Sequence, residues 1–118
     1  MTESISNETA REYAAYLTHD THNPFGALRA MLGTRLIIRT ETGIRFDLHG
    51  ALHRVTLCAL DYDAGLDLFK LRFYKNKRFE GNVVVKEFDS LFFDQLKEVF
   101  EEYTGLFLSF RQVFGLNA

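Results

Sequence analysis

Apolar residues in this chain keep helical spacing through its first third, then switch to every second position from Thr34 onward. Ala10, Tyr13, Ala14 and Leu17 fall on one face at a period of 3.6, which predicts a helix from an Asn7 cap to about Leu17. The polar stretch from Thr18 to His22 interrupts that pattern. Asn23 and Pro24 open a second helix, with Asn as cap and Pro at the first helical position, where its missing N–H costs nothing. Gly33 closes it. Residues 1–6 are polar and terminal, and the expectation is a disordered leader before a single domain spanning 7–118.

The alternating region reads as strands. Leu36, Ile38 and Thr40 alternate with Arg35, Arg39 and Glu41. Beyond a turn at Thr42–Gly43, Ile44, Phe46 and Leu48 alternate with Arg45, Asp47 and His49. That pattern predicts a hairpin with one dry face and one wet face. A third strand is expected over about Arg54 to Leu60. A fourth sets Phe69, Leu71 and Phe73 on one side and Lys70, Arg72 and Tyr74 on the other. Val83–Val85 suggests a fifth, with Gly81 marking a bulge or a turn. Asp89 reads as the cap of a helix to about Tyr103, whose stripe is Phe92, Leu96, Val99, Phe100 and Tyr103, and Gly105 ends it. The predicted fold class is α+β: an antiparallel sheet of about five strands, with two short N-terminal helices and one long C-terminal helix packed on one face.

A chain of 118 residues has single-domain size, and its 47% hydrophobic and 25% charged residues are ordinary for a globular protein. Phenylalanine is the departure, with twelve Phe, ten of them from Phe69 onward, and no Trp. A Phe ring brings large apolar area without a polar handle, so most are expected in the core. Leu106, Phe107, Phe110, Val113, Phe114 and Leu116 bring more apolar surface than one short element covers. Two destinations stay open for them, the core or an interface with another subunit.

Net charge is −2, but the charge is segregated. Residues 34–86 carry ten Lys/Arg against six Asp/Glu, whereas the remainder carries four against ten. The strand parity assigns Arg35, Arg39, Arg45, Lys70, Arg72 and Tyr74 to a basic outer sheet face. Guanidinium forks suit carboxylates or phosphates, and an aromatic ring stacks on bases, so nucleic acid is one candidate partner. The negative total charge, with Glu41 and Asp47 on the same strands, weighs against a dedicated nucleic-acid binder.

Other chemistry is sparse. His19 and His22 form one pair and His49 and His53 another, a set that would serve a metal-dependent enzyme if the fold gathered it, although the spacing matches no zinc signature. Asp61, Asp63, Gly65 and Asp67 resemble the opening of a calcium loop, but Arg72 stands where that loop needs a bidentate Glu, and an Asp/Gly hairpin turn fits better. No nucleophile elbow, phosphate-binding glycine loop or HExxH zinc motif occurs. The lone Cys58 forms no intramolecular disulfide, and its strand setting predicts a buried thiol. With neither a secretory leader pattern nor an apolar run of about 20 residues, a cytoplasmic location is expected. These features point to a small non-catalytic binding or regulatory protein without a cofactor, acting through protein–protein contact and forming a homo-oligomer. The alternatives are nucleic-acid association through the basic face and metal-dependent catalysis by the paired histidines.

Overall fold

The computed structural model describes residues 3–108. Its elements are α1 (Asn7–Thr18), α2 (Pro24–Leu32), β1 (Ile37–Arg39), β2 (Gly43–Asp47), β3 (Leu57–Asp63), β4 (Leu68–Lys77), β5 (Gly81–Leu91) and α3 (Leu96–Thr104). Short 3-10 turns at Leu52–Arg54 and Phe93–Gln95 precede β3 and α3. The strands form one antiparallel meander in chain order, so the class is α+β. No helix among the described residues is long and apolar enough to cross a membrane.

Local chemistry sets the helix ends. The Ser6 hydroxyl accepts the Thr9 N–H at 3.1 Å, capping α1 one residue ahead of the expected Asn7. Asn23 caps α2 as expected, its side chain accepting the Gly26 N–H at 3.1 Å with Pro24 next in line. Gly33 ends α2 at φ 69°, a left-handed conformation that glycine adopts without steric cost. Ser4 and Ile5 bond to the chain at the end of β1. The Ser4 hydroxyl donates to the Arg39 carbonyl at 3.2 Å, and the Ile5 N–H donates to the Thr40 carbonyl at 2.8 Å.

Residues directly opposite each other in a sheet share a face. Ile44 faces Leu60, Phe46 faces Cys58, Cys58 faces Phe73, and Leu60 faces Leu71. All six are buried in one cluster with Ala10, Ala14 and Leu17 of α1, Leu28 and Leu32 of α2, and Leu96 and Phe100 of α3. The three helices therefore roof the same side of the sheet. No described helix covers the other side.

Two expectations change, and one question left open is answered in part. In β1, Arg39 pairs with Ile44 and Ile38 pairs with Arg45, so Arg39 sits on the helix side and Ile38 on the open side. Leu36, Ile37 and Ile38 are consecutive apolar residues and permit either parity. The Thr40 N–H, held at 2.8 Å by the Gly43 carbonyl, fixes which one is realised. Second, Asp89 caps no helix. The backbone from Gly81 to Leu91 pairs with β4, and the helical segment begins only at Phe93. Two irregularities in that ladder, opposite Phe69/Leu71 and Phe73/Tyr74, let the long strand follow a twisted neighbour. Last, the start of the tail, left open between core and interface, packs inward. Leu108 is buried, its N–H donating to the Glu101 carboxylate at 2.8 Å, and Leu106 packs against the core. Of the residues expected at an interface, Phe107 alone among those described is exposed. Phe110, Val113, Phe114 and Leu116 lie outside the described residues.

Candidate functional site

The open face is organised by register. Its central row runs Ile38, Arg45, Ala59, Arg72 and Glu87 across the five strands. The adjoining row places Leu57 between Asp47 and Tyr74, with Val84 beyond Tyr74. On the other flank Asp61 lies opposite Lys70. Ala59 is fully covered although no helix reaches it, because the apolar stems of Arg45 and Arg72 close over it from both neighbouring strands. The Nε atoms of both arginines are buried without an acceptor.

Of the six residues predicted for this face, Arg45, Lys70, Arg72 and Tyr74 share it. Arg35 precedes β1 and contributes its backbone to the β1 entry, and Arg39 points to the helix side, where its guanidinium donates to the Ile5 carbonyl at 3.2 Å. The face is less basic than its sequence suggests. Arg72 donates to Asp61 Oδ2 at 2.8 Å, a bond that raises the guanidinium pKa, and Thr42 donates to Asp61 Oδ1 at 2.7 Å. Lys70 Nζ stands 4.0 Å from Glu87. Arg45 forms no ion pair among the described residues and instead lies over the Tyr74 ring, 5.6 Å from its centroid. Arg45, Lys70 and Arg72 thus share the face with Asp47, Asp61, Asp63 and Glu87, and Leu36, Ile38 and Val84 supply exposed apolar area. Strand parity places Arg45, Lys70 and Arg72 correctly and names Asp47, but it misplaces Arg39, and Asp61 and Glu87 become visible as neutralising acids only once the strands are paired.

Asp47 anchors one corner. Its Oδ1 accepts the N–H groups of Arg35 at 2.9 Å and Leu36 at 2.8 Å, and its Oδ2 pairs with His49 Nε2 at 2.6 Å. Burial pushes the carboxyl pKa up, but the Leu36 and Arg35 amides and the His49 ring outweigh it and leave it below its ordinary 3.8. A lowered folded pKa stabilises the fold above the ordinary value, and that contribution is lost as the pH falls through the lowered one. Asp47→Ala leaves two amides without an acceptor and is expected to cost about 2 kcal/mol at neutral pH. Urea unfolding at pH 7 and pH 3 checks this: the gap between the two proteins should narrow in acid, and a gap independent of pH would remove Asp47 from this role.

The other candidate chemistry is dispersed. His49 is engaged with Asp47, and His53 stacks on Tyr103 with ring centroids 4.4 Å apart. His19 and His22 line a cavity of about 690 Å³ between the α1–α2 loop and α3. Asp20, beside them, spends Oδ1 on the N–H groups of His22 and Asn23 at 3.0 and 2.9 Å. Among the described residues no group of three or more His, Cys, Asp or Glu side chains gathers as a metal site. Asp63 Oδ1 accepts the Gly65 N–H at 2.9 Å, whereas Asp61 turns to Arg72 and Asp67 accepts the Tyr62 hydroxyl. Those carboxylates close a turn and diverge from a common centre. Burial, then the nearby Asp61 charge, pushes the Cys58 thiol pKa far up, as suits an inert core residue. No protein family, curated protein or solved structure matches this chain.

Proposed function

We propose that this chain is a non-catalytic binding protein that self-associates through its open sheet face. The mixture of charge on that face is the observation that carries the reading. Three cations and four carboxylates set among aliphatic side chains make a mixed-sign surface able to pair with its own copy, as an isologous pair requires. Arg45, half-buried over a Tyr74 ring that is itself covered within the chain, is of the residue type enriched at interface hot spots. Both sheet edges favour contact through the face over strand addition. Ser4 and Ile5 bond along β1, and the ladder irregularities interrupt β5.

Nucleic-acid association has less support, since Asp61 and Glu87 stand beside the cations a phosphate would need. Light scattering on a size-exclusion column, with oligonucleotide binding at low and moderate salt in parallel, separates the two readings. The expected result is a particle of twice the 13.7 kDa chain mass and no oligonucleotide retention. Retention at low salt that fades with added salt would favour the basic-face reading instead.

A further inference from the structure

Away from the open face, α1, the β3–β4 pair and the turn before α3 enclose a pocket of about 390 Å³. That volume falls within the range of small-ligand sites. Its wall is aromatic. Tyr13 and Tyr16 come from α1, Tyr62 and Phe69 face each other across β3 and β4, and Phe92 and Phe93 come from the turn. Phe69 stands 5.2 Å from Tyr13, 5.7 Å from Tyr16 and 5.2 Å from Tyr62 between ring centroids, and Phe93 stands 5.3 Å from Tyr16. Phe92 and Phe93 remain 60% and 56% exposed, a large apolar area to leave in water. They are nonetheless held, because the Gln95 side chain accepts the Phe92 N–H at 2.9 Å and the Gln95 N–H returns to the Phe92 carbonyl at 3.0 Å.

The charged side chains of this lining are Glu12 and Asp67, and no Lys or Arg joins them among the described residues. Tyr16 donates its hydroxyl proton to Glu12, and Tyr62 donates to Asp67. Those hydrogen bonds raise both phenols, Tyr16 to about 12, and burial raises Tyr13, so the three rings stay neutral. An anion would meet two carboxylates here. A neutral apolar ligand would strip water from them without compensation. A primary ammonium is strongly hydrated and needs several well-placed acceptors, and a wall made mostly of ring carbon replaces few of the water molecules it would lose. A methylated ammonium carries diffuse, weakly hydrated charge, needs no acceptor, and is attracted both to ring faces and to nearby carboxylates.

We propose that this aromatic pocket binds a methylated ammonium group, carried either by a small organic cation or by a methylated lysine of another protein. The pocket lies on the helix side of the sheet, so the proposal stands independently of self-association through the open face. NMR titration of the full chain with choline, its uncharged isostere 3,3-dimethylbutan-1-ol and a short trimethyllysine peptide tests it. Choline should shift the Tyr16, Tyr62 and Phe93 signals saturably, with the isostere at least about tenfold weaker. Phe93→Ala and Asp67→Asn should each weaken choline about tenfold while the chain keeps one cooperative unfolding transition, since both side chains are exposed and Asn tolerates the φ of 56° at position 67. A peptide binding more tightly than choline identifies a protein source, and parity identifies a free cation. Equal binding of choline and its isostere, or no saturable shift with any cation, overturns the proposal.

Discussion

Phe100→Ala is expected to lower the unfolding free energy by about 3–5 kcal/mol, the range for truncating a fully buried ring. Phe100 has no exposed surface, and its ring stands 6.2 Å from Phe46 and 6.0 Å from Phe73 by centroid, so it is where α3 meets the sheet. Truncation removes the apolar contact and leaves a cavity between elements that cannot close without moving the helix. A domain of this size has about 5–15 kcal/mol of total stability, so the variant should unfold at a far lower urea midpoint. Phe79→Ala is the matched control. Phe79 is 90% exposed on the β4–β5 turn, and its loss should change stability by under about 0.5 kcal/mol. Similar midpoints for the two variants would mean that α3 does not pack on the sheet in this way.

Gly43→Ala should cost about 3 kcal/mol, at the upper end for an overpacked site. A β-carbon at Gly43 would fall on the Leu60 carbonyl oxygen, with the Leu60 carbonyl carbon 2.8 Å and the Asp61 Cα 2.9 Å away. All three atoms are backbone, so no side-chain rotation relieves the clash. The close approach arises where β2 leaves its turn: Gly43 pairs with Asp61, and the neighbouring Tyr62 N–H donates to the Thr42 carbonyl at 2.9 Å. The substitution should loosen the β2–β3 ladder, which amide hydrogen exchange at Cys58, Leu60 and Tyr62, whose N–H groups face β2, would register as lost protection. Gly65→Ala is the contrast, since its β-carbon meets only the Asp63 side chain at 3.3 Å. Equal exchange in the two variants would contradict the account of this crossing.

The reach of the sequence is clearest at the second hairpin. Alternation placed Phe69, Leu71 and Phe73 against the helices and Lys70, Arg72 and Tyr74 on the far side, and β4 pairs that way along its whole contact with β3. Helix α2 was equally legible, because Asn23, Pro24 and Gly33 are local signals that need no tertiary partner. Arg39 was misassigned because a run of three apolar residues carries no parity of its own, and the hydrogen bonds of the Thr40–Gly43 turn decide it. The segment from Asp89 to Phe92 carries helical spacing and a capping residue, yet the free edge of β4 captured much of it as strand. Backbone pairing over that length outweighs a weak cap signal. The aromatic pocket was invisible for a related reason: its rings come from α1, β3, β4 and the β5–α3 turn, and only the tertiary fold collects them.

The central claim is that the sheet keeps one side free of helices and that a second copy of the chain occupies it. Sedimentation equilibrium of the wild-type chain beside an Ile38→Glu, Val84→Glu double variant tests this most directly, because both residues are exposed on that side and support no core contact. The wild-type protein should sediment as a dimer whose unfolding midpoint rises with protein concentration, and the variant as a folded monomer whose midpoint does not. A wild-type monomer at millimolar concentration, or a variant dimer as stable as the wild type, would contradict it.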